Sequence, residues 1–189
     1  MKGSDLVRGG VAGLLATLPM TLAMEGMHAL LPWWERYPLP PRQISEEMER
    51  AADLRGSLDE PQHVALTLVN HFAYGAGAGA IYGALASRVP APPALKGAAF
   101  GLGVWSASYL GLMPALGVLS PATEHPGRRN ALMIAAHLVW GSATGIVFDR
   151  LQTRARPAID GPDAEKNGPT TTTTPDESGE AVPHAIHAL

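Results

Sequence analysis

The sequence has no cysteine, few aromatic residues and long stretches almost without charge. Lack of cysteine excludes a disulfide framework, a thiolate metal site and thiol redox chemistry. No basic run or basic–aromatic interleave is present, so nothing points to nucleic acid as a partner. No glycine-rich phosphate loop lies between a strand pattern and a helix pattern, and no Ser/His/Asp order stands out. Enzymatic hydrolysis therefore has no positive support, and the chain reads as a binding or structural protein rather than an enzyme.

The shortage of charge is uneven. Residues 9–34, 64–87, 97–123 and 130–148 cover 96 of the 189 positions and contain a single Asp, Glu, Lys or Arg, namely Glu25. The other 93 positions carry 30 such residues. Segments of this length and composition match a hydrocarbon slab about 30 Å thick. They exclude a cytosolic enzyme and a disordered chain. The fold expected is all-α and polytopic, with four transmembrane helices at about 9–34, 64–87, 97–119 and 130–148 forming a domain over residues 1–151. Its principal partner is the lipid bilayer.

The first segment follows Lys2 and Arg8, as a signal peptide would. It is longer than a signal-peptide core, contains Pro19 and ends in Pro32-Trp33-Trp34, so it reads as an uncleaved span with Trp33 and Trp34 as interfacial anchors. Loop 35–63 opens with prolines, expected to fix extended backbone. Ser45 is then the expected N-cap of a short interfacial helix carrying Ile44, Met48, Ala52 and Arg55. Residues 152–189, with five consecutive threonines at 170–174, have too little apolar content to fold and are expected to be a disordered tail. His184 and His187 in that tail read as incidental. Basic residues flanking the spans number seven against six, a small excess, and the long first loop is rich in Asp and Glu, so both termini are expected in the cytoplasm.

Spans two and four repeat one pattern. His71-x2-Tyr74-Gly75-x3-Gly79-x2-Tyr82 aligns with His137-x2-Trp140-Gly141-x3-Gly145-x2-Phe148. Spans one and three share a shorter match, Arg8-Gly9-x3-Gly13 with Lys96-Gly97-x3-Gly101. Two tandem two-helix repeats follow, related by an axis along the membrane normal. Gly75, Gly79, Gly141 and Gly145 lie on single helix faces and read as helix-packing positions, within the chain or against a second copy or a membrane-protein partner.

Glu25, His28, His71 and His137 are the candidate ligand or metal residues. Each sits roughly 10 Å below one boundary, by the helical rise, which places all four at one level on three helices. Several chemistries suit such a layer. A single metal ion would use Glu25-x2-His28 with the other histidines, and Met20, Met24, Met27, Met113 and Met133 would tilt the choice towards Cu(I). A haem b would take His71 and His137 as axial ligands. A proton or small molecule would bind in a cavity lined by Asn70, Ser106, Ser108 and Tyr109. Alternatively the layer is an interhelical hydrogen-bond network in a structural or assembly subunit.

Pro38-Leu39-Pro40-Pro41-Arg42, following an acidic residue on span one, and His137-Leu138-Val139-Trp140 resemble the YagU-like family of uncharacterised bacterial inner-membrane proteins. The likeness extends over about residues 8–150. It implies an inner-membrane location with several spans, and it brings no catalytic residues.

Overall fold

Alanine, leucine and glycine dominate the long apolar segments, and such residues in lipid leave the backbone one economical solution, the helix. A computed structural model describes residues 3–53 and 57–155, and among them there is no strand. The helices are α1 (Gly3–Ala29), α2 (Pro40–Ala51), α3 (Glu60–Leu85), α4 (Pro93–Ser106), α5 (Met113–Ala115) and α6 (Gly127–Arg154). Three helical segments, Gly3–Ala29, Glu60–Arg88 and Gly127–Arg154, are long and apolar enough to cross a membrane. They expose large apolar side chains such as Leu18, Leu22, Val69 and Ile81. Only 17% of the apolar window of Glu60–Arg88 is buried within the chain. Apolar exposure on this scale suits lipid rather than water.

The third expected span takes a different form. α4 passes without a break into a π turn, Ala107–Leu112, and then into α5. Pro114 explains the change, because it has no N–H for the carbonyl four residues back and its ring crowds that carbonyl. Gly117, with φ of 68°, then ends the run in the left-handed conformation.

Helix boundaries also differ from expectation. Helix α2 starts at Pro40 rather than after Ser45, since proline in the first helical turn forfeits no hydrogen bond. Ser45 lies in mid-helix, fully buried, and accepts a hydrogen bond from Asn70 Nδ2 at 3.1 Å. Helix α3 begins four residues before the expected span, at Glu60, where Asp59 and Gln62 form a reciprocal capping box. Helix α6 outlasts its expected span at both ends and reaches Arg154. Arg55, His184, His187 and the threonine run lie outside the described residues.

Glycine sets how the long helices meet. Gly9 and Gly13 of α1 face Gly75, Gly79 and Gly83 of antiparallel α3, and a Cβ built on Gly79 would stand 2.4 Å from the Gly9 carbonyl oxygen. Gly97 and Gly101 of α4 face Gly141 and Gly145 of α6 in the same way, a Cβ on Gly141 standing 2.2 Å from the Gly97 oxygen. Helix α1 also packs along α6, where Trp140 Nε1 donates to the Gly13 carbonyl at 3.1 Å.

The two ends of this bundle are distinct. At one, Gln152 Nε2 reaches Asp5 at 3.5 Å, Lys96 Nζ donates to the Ala86 carbonyl, and Gly83 lies against Asp5. The start of α1 and the end of α6 therefore share one end. At the other, buried Arg129 donates to the carbonyls of Tyr37 and Pro38, and its guanidinium lies 3.6 Å from the centre of the Tyr37 ring. Helix α2 is fastened to the start of α3 by Arg42–Glu60 and by Glu49–His63 at 2.7 Å. Glu60 and Glu46 beside it hold the Arg42 guanidinium above the usual arginine range.

Candidate functional site

Where α1, α3, α6 and the α4–α5 run diverge from their glycine crossings, a cavity of about 340 Å³ opens. Small residues hold the backbones together towards one end, and larger side chains splay them apart towards the other. Helix α2 lies across this space with Pro40, Pro41, Ile44 and Met48 in its lining. The π turn supplies Ser108 and Tyr109, and Met113 follows directly. π turns of this kind recur at functional sites.

Of the four candidate residues, the structure brings two together. His71 on α3 and His137 on α6 both line the cavity. Glu25 is exposed on α1, and His28 lies with its Nε2 3.2 Å from the Tyr37 carbonyl. Neither lines the cavity. The depth estimate behind the single layer fixed height along the helix and not rotation about it. Asn70, Ser108 and Tyr109 line the cavity as expected, and Ser106 does not. Five methionines, Met20, Met24, Met48, Met113 and Met133, contribute from four elements, and Met27 packs nearby against the core.

Most polar groups of the lining already have partners. The Tyr74 hydroxyl and Ser108 Oγ share a hydrogen bond of 2.7 Å. Thr17 Oγ1 donates to the Gly13 carbonyl at 2.8 Å. His137, 6% exposed, has Nδ1 2.8 Å from the Met133 carbonyl one turn back. The Nε2 of His71 is buried and finds no hydrogen-bond partner among the described residues. Among the described residues, no Asp, Glu, Lys or Arg lines the cavity.

This geometry bears on the cofactor alternatives. No group of three or more His, Cys, Asp or Glu among the described residues is placed to hold a metal ion. A metal ion draws its ligands to about 2.0–2.3 Å, whereas this lining surrounds an open volume many times larger. Haem between His71 and His137 fits poorly for another reason. The glycines one turn after each histidine, beside which a macrocycle would need room, pack against protein instead, Gly75 against Thr17 and Gly13, Gly141 against Gly97 and Gly101. Trp33 and Trp34 are 79% and 64% exposed in a short 3₁₀ turn at the end of α1.

Sequence reasoning did not single out Ile44, Met48 or Tyr74 as lining residues. For Tyr74 a signal existed, since it holds the aromatic position of the repeat and its counterpart Trp140 also lines the cavity. For α2 none did, because its docking depends on distant contacts from Asn70 and His63.

Fold and site together define an all-helical, membrane-compatible protein with an apolar chamber between its helices. Residues 29–146 match the family described as a protein of unknown function, DUF1440, and the chain belongs to that family. Comparison with curated proteins and with solved structures returns no match.

Proposed function

We propose that this chain is a polytopic protein of the bacterial inner membrane that binds a small, largely apolar molecule in the chamber between its helices. The observation that carries this reading is the cavity itself. Its volume of about 340 Å³ is more than twice the roughly 150 Å³ of an engineered apolar cavity that accommodates benzene. An apolar pocket of this size with a few converging polar groups is the usual form of a small-molecule site.

Four crossings rather than three are favoured by the shared end of α1 and α6, since an odd number would put their termini on opposite faces. The run from Pro93 to Ala115 supplies the extra crossing, antiparallel to α6. A tandem repeat accounts for the two matched glycine crossings. It also accounts for His71 and His137 sharing one cavity while Tyr82 and Phe148, the matched residues at the other end of the motif, meet edge to face at 5.5 Å. Both termini are assigned to the cytoplasm on the small basic excess together with the long, Asp- and Glu-rich first loop. Methionine-rich walls suit the role, because thioether side chains are flexible and make favourable contacts with aromatic rings.

Thermal unfolding of the full chain in detergent tests this reading. Naphthalene should raise the midpoint of the wild-type protein in proportion to its occupancy and leave Val104→Phe, which fills part of the cavity, almost unmoved. Equal responses from the two proteins, or none from the wild type, would refute it.

A further inference from the structure

The hydrogen bonds of the lining specify the ligand beyond its size. Met133 presents a carbonyl to His137 Nδ1, and a carbonyl oxygen only accepts, so Nδ1 carries the proton. In the neutral imidazole Nε2 is then an acceptor, and it has no hydrogen-bond donor among the described residues. Most donors nearby are committed elsewhere, His71 excepted, whose buried Nε2 has no partner among the described residues. Trp140 Nε1 and Thr17 Oγ1 both donate to the Gly13 carbonyl, and Asn70 Nδ2 donates to Ser45. The ring of Tyr109 stands edge-on to His137 at 6.0 Å, and its hydroxyl makes no hydrogen bond among the described residues. The His137 acceptor and the Tyr109 hydroxyl therefore belong to neighbouring rings of a lining that carries no Asp, Glu, Lys or Arg among the described residues.

Building on the cavity reading above, we infer that the chamber takes a neutral, compact, hydroxyl-bearing molecule of the phenol class, with its O–H donated to His137 Nε2 and its oxygen accepting from Tyr109. A single hydroxyl satisfies both groups, which an ether, a ketone or a hydrocarbon does not. Among the described residues no Asp, Glu, Lys or Arg lines the cavity, so a carboxylate or ammonium ligand would lie there unpaired, at a heavy desolvation cost. The aromatic body fits among Trp140, Tyr109 and the methionine sulfurs. The volume accommodates about two fused rings, judged against the cavity that holds benzene.

The test compares 2-naphthol with 2-methoxynaphthalene by equilibrium dialysis against the full chain in nanodiscs, each corrected with protein-free nanodiscs. In the wild type naphthol should bind about tenfold more tightly, the value of one buried hydrogen bond, and in His137→Phe the ratio should fall to about one. Equal binding of the two probes to the wild type overturns this inference and leaves the cavity reading standing. Binding of neither probe overturns both. Where His137→Phe does not fold, ¹⁵N spectra of the wild-type imidazoles decide: naphthol but not its ether should shift the unprotonated Nε2 of His137. A proton found on that nitrogen in the ligand-free protein refutes the assignment.

Discussion

Gly79→Ala tests the glycine crossing with a single methyl group. The added carbon would stand 2.4 Å from the Gly9 carbonyl oxygen, 2.7 Å from Gly13 Cα and 2.9 Å from Gly13 N. All three neighbours are backbone, so none can rotate aside. Ordinary van der Waals contact begins near 3.4 Å, and α1 and α3 would have to separate by about 1 Å. A gap of that size forfeits up to half of the dispersion energy along the crossing, and overpacking of this kind typically costs about 1–3 kcal/mol. Gly77 lies on the same helix with nothing within 4 Å of a built Cβ. Gly77→Ala therefore carries the same gain in helix propensity, up to about 1 kcal/mol, without the clash. Subtracting one variant from the other isolates the crossing. Equilibrium unfolding in mixed micelles, followed by tryptophan fluorescence, should show Gly79→Ala less stable than Gly77→Ala by about 1–3 kcal/mol. Midpoints agreeing within about 0.5 kcal/mol would refute the reasoning, since that is the range of substitutions that touch nothing.

The second crossing should answer alike: Gly141→Ala, whose Cβ would stand 2.2 Å from the Gly97 oxygen, is expected to lose about 1–3 kcal/mol relative to Gly103→Ala, which meets nothing. The unfolding measurement is the same, and a loss confined to one crossing would argue against tandem repeats. Topology is open to direct labelling because the chain has no native cysteine. Ser4→Cys and Thr153→Cys should react with a membrane-impermeant maleimide from the same face of oriented vesicles. Labelling from opposite faces would mean an odd number of crossings.

Some of this structure is legible in local composition. The charge-poor segments locate the three long helices, because an 18-residue apolar stretch is a property of adjacent residues. Spacing of four places Gly75 with Gly79 and Gly141 with Gly145 on common faces, since helical rotation is fixed. The boundaries are less legible. Pro40 and Pro41 break a helix in its interior and favour its first turn, and the same dipeptide permits either reading until Arg42 and Glu49 find their partners on α3. The π turn at 107–112 lies two to seven residues before a visible cause, Pro114, yet whether that proline kinks, breaks or widens the helix depends on what packs beside it.

What the sequence determined by itself was the chemistry available at each depth: helices for a bilayer, small faces for close approach, and two histidines matched by an internal repeat. Tertiary structure alone decided which side chains meet. It turned Glu25 outward, tied His28 to the Tyr37 carbonyl and left His71 and His137 on one cavity, beneath an α2 that carries Ile44 and Met48 into the wall. The physical reason is that depth follows from the fixed rise per residue, whereas rotation about each axis is set when glycine backbones on different helices come into contact.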